Sequence, residues 1–361
     1  MKSETKILVL WSRPSGYMDA CLNELARKNN TKVLFIGEKP DKGEAPFDLS
    51  KMTDTYQPIY FKKPIDQLKL LGVAEEFKPD IILSGGSWRE PAYRRLLREF
   101  RSRACRVLCM DTQWESHFHQ YVAMTAIRFL KNFLYDKAFV AGDRQAEYAK
   151  RIGFKKSDIT TGLYSCNLEV FKEASKSVGN YRFASPSFLF VGRLIKIKGI
   201  RELIEGYDLY RSSTQNPFPL SVCGVGPLSS MVRAAQGVNY LGFVQPDTLP
   251  EIMARHAILI APSHSEPWGV VLHEATSAGM SVICSQKCGA GDSFVRDGQN
   301  GFILPEITPE AICDALKKFS KFSEKALATM SSFSKKIATV NSPSIWAENV
   351  LNFAAQRNKF L

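Results

Sequence analysis

Short apolar runs unbroken by polar residues recur along this chain, and stretches with helical spacing separate them. In the first half they are residues 6–10 (KILVL), 32–36 (KVLFI), 80–83 (DIIL) and 106–110 (RVLCM), with residues 18–28 and 65–77 reading as helices between them. A strand apolar at every position is covered on both faces, which is the condition of a parallel sheet flanked by helices. The pattern predicts a doubly wound α/β domain. It breaks at an irregular stretch, residues 162–178, and restarts at 188–191 (FLFV), 220–223 (LSVC), 257–260 (AILI) and 281–284 (SVIC). Two such domains result, one over residues 1–165 and one over 166–342. The last segment, 343–361, has Trp346, Val350, Phe353 and Ala354 at helical spacing and is expected to pack back on the first domain.

A length of 361 residues suits two cores rather than one. No run approaches the roughly 18 apolar residues of a membrane span, and the start, MKSETKILVLWSRPSG, enters a strand without the apolar region and cleavage site of a signal peptide. The expectation is a cytoplasmic protein. The eight cysteines are scattered, with Cys105/Cys109 and Cys284/Cys288 lying inside apolar stretches, so they read as small buried hydrophobes in a reducing compartment. A net charge of +12 calls for an anionic partner: nucleotide phosphate, nucleic acid or an anionic lipid surface. Nucleic acid is not the expected one, because the chain has neither interleaved aromatic and basic residues nor a helix-turn-helix signature.

Three stretches carry chemistry. Residues 263–279, SHSEPWGVVLHEATSAG, follow a strand and run through a short polar loop into a helix. Pro267 favours a helix start, and Gly269 lets a ligand approach bare N–H groups at a positive helix end. Glu266 and Glu274 stand at two depths of that pocket, where an ionised carboxylate accepts from a vicinal diol. In VGRLIKIKG, residues 191–199, Arg193 and Lys198 can both reach a pyrophosphate, while Gly192 and Gly199 suit a tight turn. CGVGP, residues 223–227, is a glycine turn after a strand that brings in Gly224.

Taken in order, VGRLIKIKG, LSVCGVGP, YLGFVQPDTLPEIMARHAILIAPSHSEPWGVVLHEATSAG and DGQNGFIL resemble the donor-binding half of the family 4 glycosyltransferases, with Glu266 and Glu274 as the Glu-x7-Glu pair. The resemblance covers about half the chain. It implies the GT-B architecture, two Rossmann-like domains facing a central cleft, and transfer of a hexose from a UDP- or GDP-sugar with retention of anomeric configuration, without a required metal. By the same resemblance Arg193 and Lys198 grip the donor diphosphate, Glu266 contacts the donor sugar and Glu274 the ribose. Backbone amides of Trp268, Gly269 and Val270 touch sugar or phosphate, and the base lies near residues 242–244, ending at Val244. The acceptor is a glycan or lipid-linked glycan of cell-surface polysaccharide synthesis. A nucleotide-sugar epimerase or phosphorylase of the same fold, or a non-catalytic binder, are the alternatives.

The first domain departs from that pattern. It has SRPSGYMDA after the first strand, where many relatives have a Gly-Gly loop, and CMDTQWESHFHQ, where many have a His-Asp pair. Gly16 is placed near the donor phosphates. Asp111, directly after RVLCM, is a candidate active-site residue or else a helix cap or turn residue. His117 and His119 lack a nearby third ligand and read as surface or packing histidines, His264 as a residue satisfying its loop, and residues 84–87 (SGGS) as a βα turn or part of an acceptor site. The basic run over 89–106, with Arg94, Arg95, Arg98, Arg101 and Arg103, is either a solvated helix face or, with residues 121–137, a patch for an anionic membrane.

Overall fold

The computed structural model describes residues 4–12, 15–38, 55–85 and 90–357, with the side chains of 119, 123 and 355–357 left out. Of the sequence readings, Arg13 and Pro14, residues 86 and 87 of the SGGS turn, Arg89 and the last residues of the final segment lie outside the described residues.

The chain divides into two compact units, Met1–Cys166 with Asn341–Leu361, and Asn167–Val340. In the first, described strands β1 (Thr5–Leu10), β2 (Thr31–Glu38), β3 (Gln57–Phe61), β4 (Ile81–Gly85), β5 (Cys105–Met110), β6 (Lys137–Val140) and β7 (Ile159–Thr161) form one sheet in the order β3-β2-β1-β4-β5-β6-β7. Every pairing is parallel. Burial explains why: every residue of β4 and the last four of β1 are buried, as strands covered by helices on both faces must be. The helix Gln67–Phe77 starts where Asp66 accepts from the N–H groups of Leu68 and Lys69 at 3.0 and 3.1 Å, and ends where Lys78 turns left-handed.

The second unit carries β8 (Phe188–Val191), β9 (Leu220–Cys223), β10 (Val238–Gly242), β11 (Ile258–Ala261), β12 (Ser281–Ser285) and β13 (Gly301–Leu304) in the order β10-β9-β8-β11-β12-β13, again all parallel. The order reverses between β1 and β4 in one sheet and between β8 and β11 in the other. Loops leaving the carboxyl ends of two such strands diverge to opposite faces and open a crevice.

Five strands escape the pattern of unbroken apolar runs. β3 carries Pro58 and is mostly exposed, as suits an edge strand; β10, at an edge of the second sheet, alternates half-buried with exposed residues. β6 opens with Lys137, β7 is a three-residue edge strand of half-buried and exposed residues, and β13 opens with Gly301 at an edge of the second sheet. The stretch 162–178 is not irregular throughout, because Leu168–Val178 is a helix that buries Leu168, Phe171 and Ser175 at helical spacing and stops at Gly179. Of residues 121–137, those up to Leu134 belong to the helix Phe118–Leu134, and Lys137 opens β6. All eight cysteines are buried and unbridged.

The helix Pro343–Arg357 belongs to the first unit, where it packs on the helix Gly16–Ala26. Trp346 is fully buried against Phe139 of β6, and its indole N–H donates to the carbonyl of Leu163 at 2.7 Å. Trp346→Ala removes both the ring and that donor, and should lower the unfolding free energy by about 3–5 kcal/mol. Urea denaturation of the whole chain measures this, and a loss below about 1 kcal/mol would mean that the helix adds little to the first unit.

Candidate functional site

In the second unit the chain leaves β8 as Gly192-Arg193-Leu194 and makes a short 3-10 turn, Lys196–Lys198, before the helix Ile200–Ser212. The carbonyl of Gly192 lies so near Gly224 that a Cβ there would sit 1.8 Å from it. Leu194 donates its N–H to Val225 and accepts from Leu228, so the CGVGP turn cradles the β8 loop. Gly224 therefore acts through backbone packing against Gly192. Gly199 is left-handed at φ +68°, and a Cβ on it would lie 2.0 Å from the carbonyl oxygen of Pro262. That approach presses the loop after β8 onto the loop after β11.

The β11 loop is tied down on both sides. His264 donates its N–H to the carbonyl of Ile197 at 2.8 Å, and its Nε2 meets Glu202 Oε1 at 2.9 Å. Glu266 donates its N–H to Lys287 and accepts from Gly289, while Trp268 accepts from Ala290. Between these anchors the Glu266 carboxylate forms an ion pair with Lys198 Nζ, both side chains largely buried. The helix begins at Val270, with Gly269 as its cap at φ +94°, so Pro267 precedes the helix rather than opening it. The N–H groups of Trp268, Gly269 and Val270 have no acceptor among the described residues. They are orphan donors at the positive end of a helix.

Arg193 is exposed, and its guanidinium has no partner among the described residues. Glu274 stands on the helix Val270–Ser277, half-buried, with a carboxylate that makes no hydrogen bond or ion pair among the described residues. Desolvation pushes its pKa up to about 7. Val244 is half-buried just past β10, whose last residue, Gly242, accepts from the N–H of Gly224. Arg193, Lys198 and Glu266 thus follow the two strands at the order reversal, and the Lys198–Glu266 pair joins their loops directly. Among the described residues the arrangement offers one free cation, one cation held by a carboxylate, a helix end with free donors and a carboxylate ready to accept: the groups needed to hold a polyhydroxylated anion.

Residues 172–336 match the family model of glycosyl transferases group 1.

That span takes in nearly all of the second unit. Among curated relatives, the O-antigen chain mannosyltransferase B of Escherichia coli is 25% identical over 154 residues, 39% of this chain and 40% of the relative. The putative teichuronic acid biosynthesis glycosyltransferase TuaC of Bacillus subtilis is 28% identical over 182 residues, 48% of this chain and 44% of the relative. The chain therefore spans less than half the length of these two relatives. Likeness of fold extends further: the crystal structure of Anabaena Alr3699/HepE in complex with UDP-glucose superposes with a TM-score of 0.74 over 97% of this chain and 99% of that one, at 18% identity. The fold is GT-B.

In the first unit, Asp111 follows β5 and accepts from Tyr164 Oη at 3.1 Å. It caps no helix, because the next one starts at Phe118 with His117 as its cap. Burial, and then the neighbouring Asp111 carboxylate, hold the Tyr164 phenol far above its usual pKa, so it stays a neutral donor. Its ring meets Trp11 at 6.3 Å and Tyr17 at 5.2 Å, both edge to face. Trp11 directly follows β1 and lies over Gly85 at the end of β4, where a Cβ would come within 2.3 Å of the indole. This aromatic group fills the order reversal of the first sheet. Sequence reading missed Trp11, Tyr17 and Tyr164, whose only signal was that Trp11 and Gly85 terminate apolar runs. Gly16 is exposed at the first turn of its helix. His117 Nε2 lies 3.1 Å from Glu115, and among the described residues no three His, Cys, Asp or Glu side chains cluster as a metal site.

The basic run is less uniform than its sequence suggests. Arg103 is held by both oxygens of Glu75 at 2.7 Å. Arg106 is buried, forked onto Asp136 at 3.0 and 2.8 Å and donating to the carbonyls of Leu97 and Phe133, so it belongs to the interior. A guanidinium in a buried strand is tolerated because its donors are met by a carboxylate and two carbonyls.

The raised Glu274 pKa has a signature in stability. The unfolded carboxyl ionises near 4.5 and the folded one near 7, so between these values the folded chain binds more protons and stability falls as pH rises, the full penalty standing above 7. Glu274→Gln has no such charge. Its melting-temperature advantage over the parent should be smallest near about pH 4.5 and grow to a plateau above about pH 7.5; an advantage independent of pH would place the carboxyl in the ordinary range.

Proposed function

We propose that this chain is a retaining glycosyltransferase of family 4 that transfers a hexose from a UDP- or GDP-sugar to a glycan or lipid-linked glycan in surface-polysaccharide synthesis. The observation that carries the reading is the Lys198–Glu266 pair at the order reversal of the second sheet, beside a helix end with free N–H donors. The family match over residues 172–336 supports it, as does the fold shared with a protein whose crystal structure contains UDP-glucose.

On this reading the donor diphosphate is held by the Arg193 fork and by Lys198, and the freed Glu266 carboxylate accepts from sugar hydroxyls. Glu274 accepts from the ribose, the N–H groups of Trp268, Gly269 and Val270 donate to phosphate or sugar oxygens, and the base lies by Val244. The bond between the anomeric carbon and the diphosphate oxygen breaks heterolytically, leaving negative charge on the phosphate and an oxocarbenium-like sugar. The acceptor oxygen bonds to the same face of the anomeric carbon, and its proton passes to the departing phosphate oxygen. Arg193 and Lys198 meet charge that grows along this path, so they stabilise the transition state more than the ground state. The two side chains supply the positive charge, and the proposal includes no metal. Asp111 is assigned to the acceptor side, with Tyr164 orienting its carboxylate, and Gly16 to the neighbourhood of the donor phosphates. The chain would work in the cytoplasm; no helix among the described residues is long and apolar enough to cross a membrane.

Thermal-shift measurements against UDP, GDP, ADP and their sugars identify the donor, since a ligand bound only by the folded chain raises its melting temperature. Arg193→Ala and Lys198→Ala should then each lower turnover with that donor roughly 100- to 1,000-fold. Product analysis accompanies the assay: near-normal turnover in both variants would overturn the diphosphate assignment, and a free epimerised or phosphorolysed sugar in place of a glycoside would overturn the transferase reading.

A further inference from the structure

The helix Phe118–Leu134 of the first unit is apolar on two sides. Its inner side is accounted for, with Met124, Ile127 and Leu130 packed on the core and Leu134 buried in it. Its outer side is not. Phe118 is 83% exposed, Tyr121 48%, Val122 58%, Phe129 75% and Phe133 45%. At 100° per residue these five side chains fall within about 120° of arc and extend about 22 Å along the helix. Exposed Thr125 and Asn132 share that arc, and no charged residue does. Single exposed apolar residues are ordinary on a protein surface, whereas a continuous stripe holding three phenylalanines marks a surface that something covers.

Its surroundings are basic. The helix itself contains no acidic residue and carries Arg128, exposed beside the stripe, and Lys131. At one end the Arg101 guanidinium lies over the Phe133 ring at 5.3 Å. At the other, Tyr121 packs edge to face on Trp114 at 4.8 Å, and the Arg151 guanidinium covers Trp114 at 4.9 Å. The helix Pro91–Glu99, which packs against this one, adds Arg94, Arg95 and Arg98. An apolar stripe bordered by guanidinium groups along its length is complementary to a bilayer with anionic headgroups, where rings enter the acyl boundary and arginines remain among phosphates.

We infer that the outer face of the helix Phe118–Leu134 docks in the plane of an anionic membrane, with Phe118, Val122, Phe129 and Phe133 inserted and Arg101, Arg128 and Arg151 on the headgroups. This placement rests on the exposed stripe and its basic border, and is independent of the roles given to Arg193, Lys198 and Glu274.

Flotation of the full chain with phosphatidylcholine vesicles, with and without phosphatidylglycerol, tests it. The chain should float with the anionic vesicles, less so as salt is raised, and remain behind with the neutral ones. Phe118→Ser with Phe129→Ser should lower partitioning about tenfold or more. Arg101→Glu with Arg128→Glu should remove the preference for anionic lipid. Phe129→Trp, which keeps the stripe apolar, should bind like the parent and be quenched by brominated acyl chains. Failure of the parent to float with either vesicle overturns the inference, as does binding indifferent to the two Phe→Ser changes. A concentration-dependent dimer in sedimentation velocity, abolished by those changes and accompanied by no vesicle binding, would assign the face to a second copy of the chain instead.

Discussion

The second unit's site depends on one backbone approach, that of Gly199 to Pro262. A Cβ at Gly199 would stand 2.0 Å from the Pro262 carbonyl oxygen, so the loop after β8 and the loop after β11 touch without any side chain between them. Lys198 precedes the glycine and Glu266 lies four residues beyond the proline, which is how two residues 68 positions apart form an ion pair. The hydrogen bond from His264 N–H to the Ile197 carbonyl repeats the connection one step away. Lysine alone is a flexible point charge. Here its position is set by main chain, and the packing of Gly224 on Gly192 fixes the other side of the same loop.

What was legible in the sequence follows from this. Strands buried on both faces, such as ILVL in β1 and ILIA in β11, carry an unbroken apolar signature that can be read without neighbours. Edge strands β3 and β10 are half solvated and lose it. The residues after β8 and β11 were also legible, because the motif, the strand end and the helix start are adjacent along the chain. Arg106 was not: it stands in a basic run, and its burial is explained by its pairing with Asp136 and its bonds to the carbonyls of Leu97 and Phe133. Asp111 was legible as the residue after β5, but its meeting with Tyr164, and that of Trp11 with Gly85, were not, because these residues stand at or beyond the ends of different strands; Trp11 and Gly85 meet because β1 and β4 are neighbours at the reversal of strand order. Sequence separation hides such a site, since no local pattern records which strand ends the topology makes adjacent.

The two units solve the same topological problem differently. Where the second leaves its order reversal lined with charge and free N–H donors, the first fills its own with aromatic rings and a neutral tyrosine bound to Asp111. Charged loops beside a positive helix end suit an anion. Trp11 and Tyr164 are themselves buried, so the first reversal is closed by packing rather than lined by unmatched donors.

Charge balance adds a further step. Lys198 is neutralised by Glu266, and Arg193 has no partner among the described residues. A largely buried lysine lacking a partner would be costly, so the carboxylate stabilises the loop before any anion arrives. On the proposed reading, the diphosphate replaces Glu266 as the partner of Lys198, and the released carboxylate can then accept from hydroxyls on the sugar the same donor carries. One exchange of partners thus couples diphosphate recognition to sugar recognition. A nucleotide diphosphate without a sugar would break the ion pair and give Glu266 no hydroxyl in return, so the complete donor has an advantage over its own product that neither residue could supply alone.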